Sequence, residues 1–326
     1  MILRGVDFGY CWDQSGVRNF FGDGYPYHGY LQPIGLNFEG STFTAKTTTY
    51  NDRSGNMPMK EDRITPREFK PKCIVVDLPG GNALNAVGLS GPGLRWLLEQ
   101  GRWQKRPWPF ILSFMSLGQS RDDRMIELRM FVSDLGRALP RFWAPIALQI
   151  NFSCPNVKVA HDAEHVAEEV AEALKIASVL GIPLIPKINA VMLVETAAQI
   201  AEHSNCDALC VSNTIPWGQL PDKIDWNKLF GSNGVSPLAH LGGGGLSGKL
   251  LLPIVVDWVR AARVIGIRKP INAGGGILKP ADVNLLAEAG ASSVAVGSIA
   301  FLRPWRMRAT IDRANYLGRA ERFYGD

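Results

Sequence analysis

Within QINFSCPN, residues 149–156, one cysteine stands between two asparagines where an apolar run gives way to a polar loop. A free thiol ionises near pH ~8.5, so modest stabilisation of its thiolate makes Cys154 a usable proton acceptor at neutral pH. Asn151 and Asn156 flank it, and Asn213 and Thr214 close a second apolar run. Their amides supply both donors and acceptors, which suits a planar heterocycle with amide edges. Lys187 lies inside the apolar PLIPKIN, where a lysine must face a polar site or carry a costly buried charge. A site facing an anionic group explains it best. Lys46, in FTAKTTTY, reads equally well as an exposed strand lysine, and each asparagine taken singly as a loop cap or turn.

Glycine-rich stretches are the second chemical signal. LGGGGLSG (241–248) and INAGGGILKP (271–280) each precede a helical pattern, and Gly297 and Ser298 stand between the last apolar run and its helix. After late strands of a barrel, such loops let backbone N–H groups hold a phosphate. None has the strand-first GxGxxG spacing of a dinucleotide site.

The elements that would position these residues alternate. Apolar runs predict strands near 31–38, 42–49, 109–115, 145–151, 183–188, 207–212, 270–274 and 293–297. An insertion to about residue 91 follows the second, with an apolar run at 73–78, and then a helix at 94–100. The clearest helix spans 162–180, where Ala163, Val166, Ala167, Val170, Ala173, Leu174 and Ala177 recur at helical steps; Gly181 and Pro183 stop it. Others are expected at 191–203, 250–265, 280–289 and 304–318. Strands and helices alternating over this length predict an α/β fold, a (β/α)8 TIM barrel. It is read as a single domain spanning 31–326. Residues 1–30, rich in aromatics and glycine without a clear period, are expected as an N-terminal extension packing on that barrel.

Composition bounds the function classes. An excess of 35 basic over 30 acidic residues is too small to imply nucleic acid. The five cysteines form neither a CxxC metal pair nor a disulfide framework, which fits a reducing, cytoplasmic setting with no metal. Cys11, Cys73, Cys206 and Cys210 read as inert small hydrophobes. The N-terminus has neither a signal peptide's apolar core nor a membrane span.

From about Leu31 to Arg303 the chain resembles the dihydroorotate dehydrogenases, FMN-containing (β/α)8 barrels of pyrimidine biosynthesis. The likeness rests on AKTTT with GNMP downstream, NALNAVGLSGPG, INFSCPN, PKIN, VSNT, GGLSG, NAGGG and VGS, in the family's order. The cysteine of SCPN resembles the soluble class 1 enzymes, whereas class 2 members carry serine there. The resemblance implies that dihydroorotate is oxidised to orotate, Cys154 removing the C5 proton while C6 gives a hydride to flavin N5. Lys46, Asn85, Gly88, Leu89, Asn151, Asn156, Asn213 and Thr214 match positions around the orotate. Lys187 matches a lysine beside the flavin ring, with Lys46 and Asn151 also near the cofactor. Gly244, Gly245, Gly275, Gly276, Gly297 and Ser298 match the FMN phosphate and ribityl loops. Gly40 matches a glycine against the flavin at the first strand, although Asn37, Phe38 and Glu39 precede it where the family has a small pair. Gly91 stands where an asparagine is usual. A homodimer and an electron-transfer subunit are implied as partners, and the bulky departures leave open another dihydropyrimidine or ene substrate.

Overall fold

The computed structural model describes residues 1–153, 165–211 and 213–324, with side chains to residue 319. Its centre is a curved, all-parallel sheet in the spatial order Cys11–Asp13, Ser293–Val296, Ile271–Gly274, Leu209–Val211, Leu184–Ile188, Ile146–Asn151, Phe110–Phe114. Segment 42–48 closes the gap between the first and last of these. Thr42 bridges to Trp12, Thr44 to Ile111 and Thr48 to Phe114, all in parallel. Asp13 N donates to Thr42 O at 2.8 Å and Ile111 N to Phe43 O at 3.0 Å. The expected barrel is therefore present, with 42–48 in the remaining strand position.

Buried on both faces, most of these strands read as near-continuous apolar runs and are legible for that reason; Cys11–Asp13 is the exception. Inside the barrel, Trp12, Ile111, Ala147, Ile185, Cys210 and Ala295 meet, and Met1, Leu3 and Phe8 join them. Toward the mouth the filling turns polar: Thr47 Oγ1 and Ser113 Oγ lie 2.9 Å apart, and Ser113 Oγ donates to Gln149 Oε1 at 3.2 Å. Gln149 and Asn151, two apart on one strand, share that inward face.

Helices cover the outside. Val166–Ala177 runs into a 3-10 turn, Ser178–Leu180, and stops at Gly181 with φ +67°, a left-handed cap as expected. Val194–Glu202, Leu251–Val264, Pro280–Glu288 and Met307–Tyr324 fall near their expected places. Arg121–Ala138 was not singled out, because its buried face includes Arg124 and Asp134, which break the apolar stripe. Among the described residues no helix is long and apolar enough to cross a membrane.

Two expectations are corrected. Residues 31–38 form no strand: the helix Pro26–Leu31 leads into a 3-10 turn, Gln32–Ile34, closed by Gly35 at φ +109°. Pro26 and Pro33 sit in the first turn of each, where a missing N–H costs nothing. The strand lies instead at Cys11–Asp13, so the stretch 1–30 supplies part of the barrel sheet. Nor is LGGGGLSG a simple strand-to-helix turn. Gly245–Gly248 is itself a strand, paired antiparallel with the Asn82–Asn85 strand of the insertion, whose other neighbour is Ile74–Asp77. Gly248, at φ +107°, brings its backbone so close to Gly81 that a Cβ would lie 2.3 Å from the Gly81 carbonyl oxygen.

Candidate active site

A cavity of about 720 Å³ opens at the carboxyl ends of the barrel strands. Its wall draws on every barrel position except the Phe110–Phe114 strand: Gln14, Ser15 and Gly16; Lys46 and Thr47; Asn151; Lys187; Asn213 and Thr214; Gly275 and Gly276; Gly297 and Ser298. The insertion adds Asn85, Gly88 and Leu89.

The amides form one network. Asn151 Oδ1 accepts from Asn213 Nδ2 at 3.0 Å and from Ser153 N at 3.1 Å, while Asn213 Oδ1 accepts from Thr214 N at 3.0 Å. Each amide thus fixes the other's orientation, and their outer edges keep defined donor and acceptor sides. Strand register sets Asn151 opposite Lys187. Lys187 is only 4% exposed, and its Nζ donates to Gln14 Oε1 at 3.2 Å. Lys46, also buried, donates to the Ser90 carbonyl and lies 4.6 Å over the Phe20 ring. Two ammonium groups held at one polar mouth favour a ligand with negative charge.

The glycines shape the opposite wall. At Gly276, with φ +79°, a Cβ would meet Leu252 N at 2.5 Å and Gly248 O at 2.7 Å, so only glycine allows this approach. Gly297 faces Gln14, whose side-chain carbon lies 3.0 Å from where a Cβ would stand.

Several expected residues lie elsewhere. Gly40 lines a separate cavity with Phe38 and Glu39, and its carbonyl accepts from Asn315 Nδ2 at 2.8 Å. Gly244 and Gly245 back the insertion, a Cβ on Gly244 meeting the Asn85 carbonyl oxygen at 2.9 Å. Cys154 and Asn156 lie outside the described residues; Ser153, bonded to Cys154, reaches Asn213 Nδ2 through its Oγ at 3.3 Å. The other four cysteines are free and buried. Burial pushes the thiols of Cys73 and Cys210 up to about 11 and that of Cys206 to about 12, and raises Cys11 also, which makes all four poor bases. Among the described residues no cluster of three His, Cys, Asp or Glu side chains could hold a metal.

Sequence reading missed Gln14, Ser15 and Gly16, and with them Tyr25, Tyr27 and Ser247. The signal was CWDQSG, a three-residue strand followed by a small-residue turn, obscured by the surrounding aromatics. Ser15 Oγ donates to Ala45 O at 3.0 Å, and the Tyr25 hydroxyl to Gly16 O at 2.7 Å, tying this turn into the cavity wall. Tyr25 and Tyr27 stack at 5.6 Å, and burial raises both phenols well above their usual range, so both stay protonated.

Residues 29–314 match the family model described as dihydroorotate dehydrogenase. A curated relative from Bacillus pumilus (strain SAFR-032), named dihydroorotate dehydrogenase B (NAD(+)), catalytic subunit, is 30% identical over 77% of this chain and 76% of its own length. One of the same name from Geobacillus sp. (strain WCH70) is 31% identical over 77% and 75%. Among solved structures, DHODH in complex with ferulenol from Eimeria tenella matches with TM-score 0.64 at 21% identity, over 98% of this chain and 85% of that one. That likeness shows the fold.

Proposed function

The chain belongs to the dihydroorotate dehydrogenase family of flavin oxidoreductases, and on that premise we propose that it oxidises dihydroorotate to orotate with FMN. The observation that carries the reading is the Asn151–Asn213 amide pair set beside Lys187 at the barrel mouth. Its residues fit the cofactor. Gly275, Gly276, Gly297 and Ser298 line the wall where backbone N–H groups would hold a phosphate or ribityl chain. Lys187 would sit against the flavin ring, and a cavity of about 720 Å³ has room for flavin and substrate edge together. FMN, when bound, supplies the hydride acceptor for C6 of dihydroorotate.

The chain's own residues do the rest. Asn85, Asn151, Asn156, Asn213 and Thr214 recognise the ring's amide edges, the Gly88 and Leu89 backbone closes over them, and Lys46 meets the carboxylate. Cys154, as thiolate, takes the C5 proton: the C5–H bond breaks and an S–H bond forms. Gly244 and Gly245 act at one remove, through the strand that carries Asn85.

Another dihydropyrimidine or ene substrate is the second reading. Phe38 and Glu39 no longer favour it, since they line a different cavity. Gly91 still does: the space of the usual asparagine side chain is filled by the Phe20 ring, 2.5 Å from where a Cβ would be. The names of the relatives, catalytic subunits of an NAD(+)-linked enzyme, support an electron-transfer partner subunit, and the class 1 resemblance supports a cytoplasmic homodimer.

Anaerobic dihydroorotate should bleach the purified yellow protein, and Cys154→Ala should slow that bleaching ~10²–10⁴-fold with flavin content unchanged. A protein that holds FMN but stays oxidised under dihydroorotate would remove the substrate from this reading; unaltered bleaching in the variant would remove the base.

A further inference from the structure

We propose a second binding site, for an anion carried on a flat apolar body, in the groove on the far side of the loop 13–24. That loop separates two cavities. Gln14 to Val17 line the catalytic one, whereas Arg18, Gly22, Asp23 and Gly24 line a cavity of about 810 Å³ that shares no wall residue with it.

The carboxylates in and beside this second cavity are each paired with a cation. Asp13 pairs with Arg18 at 3.1 Å, Asp23 with Arg102 at 2.5 Å, Glu39 with Arg308 at 2.5 Å, and Asp7 with the N-terminal ammonium at 3.7 Å. Arg106, by contrast, makes no close ion pair among the described residues, although Asp13 and Asp23 attract it from farther off. Its Nη1 donates to Phe21 O at 2.9 Å, but its Nε is buried with no hydrogen-bond partner. Burial first, and then repulsion from Arg18, lower its pKa to about 10. Both guanidiniums crowd the Phe43 ring, Arg106 at 4.2 Å and Arg18 at 5.6 Å from its centroid. An anion beside Arg106 would offset that repulsion.

A second unpartnered group lies in the same wall. His28 lines this cavity, is 4% exposed, and has a buried Nε2 with no hydrogen-bond partner among the described residues. A native structure rarely leaves such an atom unanswered. Flat apolar surfaces complete the groove: Phe38, Phe43 and Trp108, the last 75% exposed at its lip. A carboxylate or phosphate on a planar ring satisfies both the polar and the apolar features. The site depends on neither the flavin nor the proposed reaction.

Benzoate and inorganic phosphate, titrated calorimetrically into the full-length protein at low salt, test it. Benzoate should bind saturably, at one site, in the presence of saturating orotate. Arg106→Gln should weaken benzoate and phosphate by at least about tenfold while orotate binding is retained. Trp108→Ala, at an exposed lip, should weaken benzoate several-fold and leave phosphate alone. Displacement of benzoate by orotate, undiminished binding in Arg106→Gln, or no saturable binding would each overturn the proposal.

Discussion

Two cavities lie on either side of the loop 13–24 and are built on different principles. The proposed active site is assembled from strand ends, and its polar side chains hold one another: Asn213 to Asn151, Lys187 to Gln14, Thr47 to Ser113. The other is assembled from irregular segments and leaves Arg106 Nε and His28 Nε2 without hydrogen-bond partners among the described residues. In the first, groups that must meet developing charge are oriented in advance by rigid elements, which is what catalysis requires. In the second, satisfaction is incomplete within the chain itself. Self-consistency marks the site of chemistry; a residue of unmatched polarity marks a site that is completed from outside.

The largest test of that contrast is Lys187→Met. Removing a fixed charge from a preorganised site should slow flavin reduction by dihydroorotate ~10²–10³-fold, about 2.7–4 kcal/mol of transition-state stabilisation. Thermal stability should hold or rise, since a buried ammonium is replaced by an apolar chain of similar length. Stopped-flow reduction and calorimetric melting, done together, check it. Equal losses in both would mean that Lys187 supports the barrel rather than the chemistry.

The same contrast governed what could be read from sequence. Strands such as Ile146–Asn151 and Leu184–Ile188 are apolar on both faces, so they appear as bounded runs, and the chemistry sits at their ends. Asn151, Lys187, Asn213 and Gly276 were legible for that reason. The Cys11–Asp13 strand was not, being three residues long and set among aromatics that look like a packing segment. Missing it moved the first strand to 31–38 and placed the small-residue turn at Gly40 instead of Gly16. The pairing of Gly245–Gly248 with Asn82–Asn85 is long-range, joining residues about 160 apart, and no local pattern reports it. Nor does sequence show that Arg106 makes no close ion pair among the described residues, because that depends on where every neighbouring acid goes.

Opposed titrations sit in and beside the second cavity. Burial raises Asp13 from 3.8 to about 6 despite Arg18 and Ser41, so the folded chain keeps a proton between pH ~4 and ~6 that the unfolded chain has lost. Stability from this group therefore falls as pH rises through that window. Burial, aided by Arg18, lowers His28 from 6.5 to about 4, so here the unfolded chain holds the extra proton and stability rises over nearly the same window. Each effect is at most ~3 kcal/mol, and together they nearly cancel. Asp13→Asn should expose a stability that climbs from pH 4 to 6.5, and His28→Phe one that declines from pH 4 to 6. Urea unfolding at half-unit pH steps reads both slopes. Two flat profiles would show that these groups are solvated, and the contrast between the cavities would weaken.

The smallest expected effect joins the two regions. Phe20 belongs to the separating loop, is fully buried, and is held by Trp103 Nε1 donating to its carbonyl at 2.6 Å. Its ring fills the space beside Gly91 and lies under the Lys46 ammonium. Gly91→Ala puts a methyl 2.5 Å from the ring tip, and the ring must yield, costing ~1–2 kcal/mol as overpacking does in a dense core. Because the ring carries Lys46, orotate affinity should fall with stability, whereas benzoate bound near Arg106 should not respond. Adding Phe20→Leu to Gly91→Ala should recover much of the stability but not the orotate affinity, since leucine relieves the clash and offers the ammonium no π face. Recovery of both would mean that Phe20 only fills space and does not position Lys46.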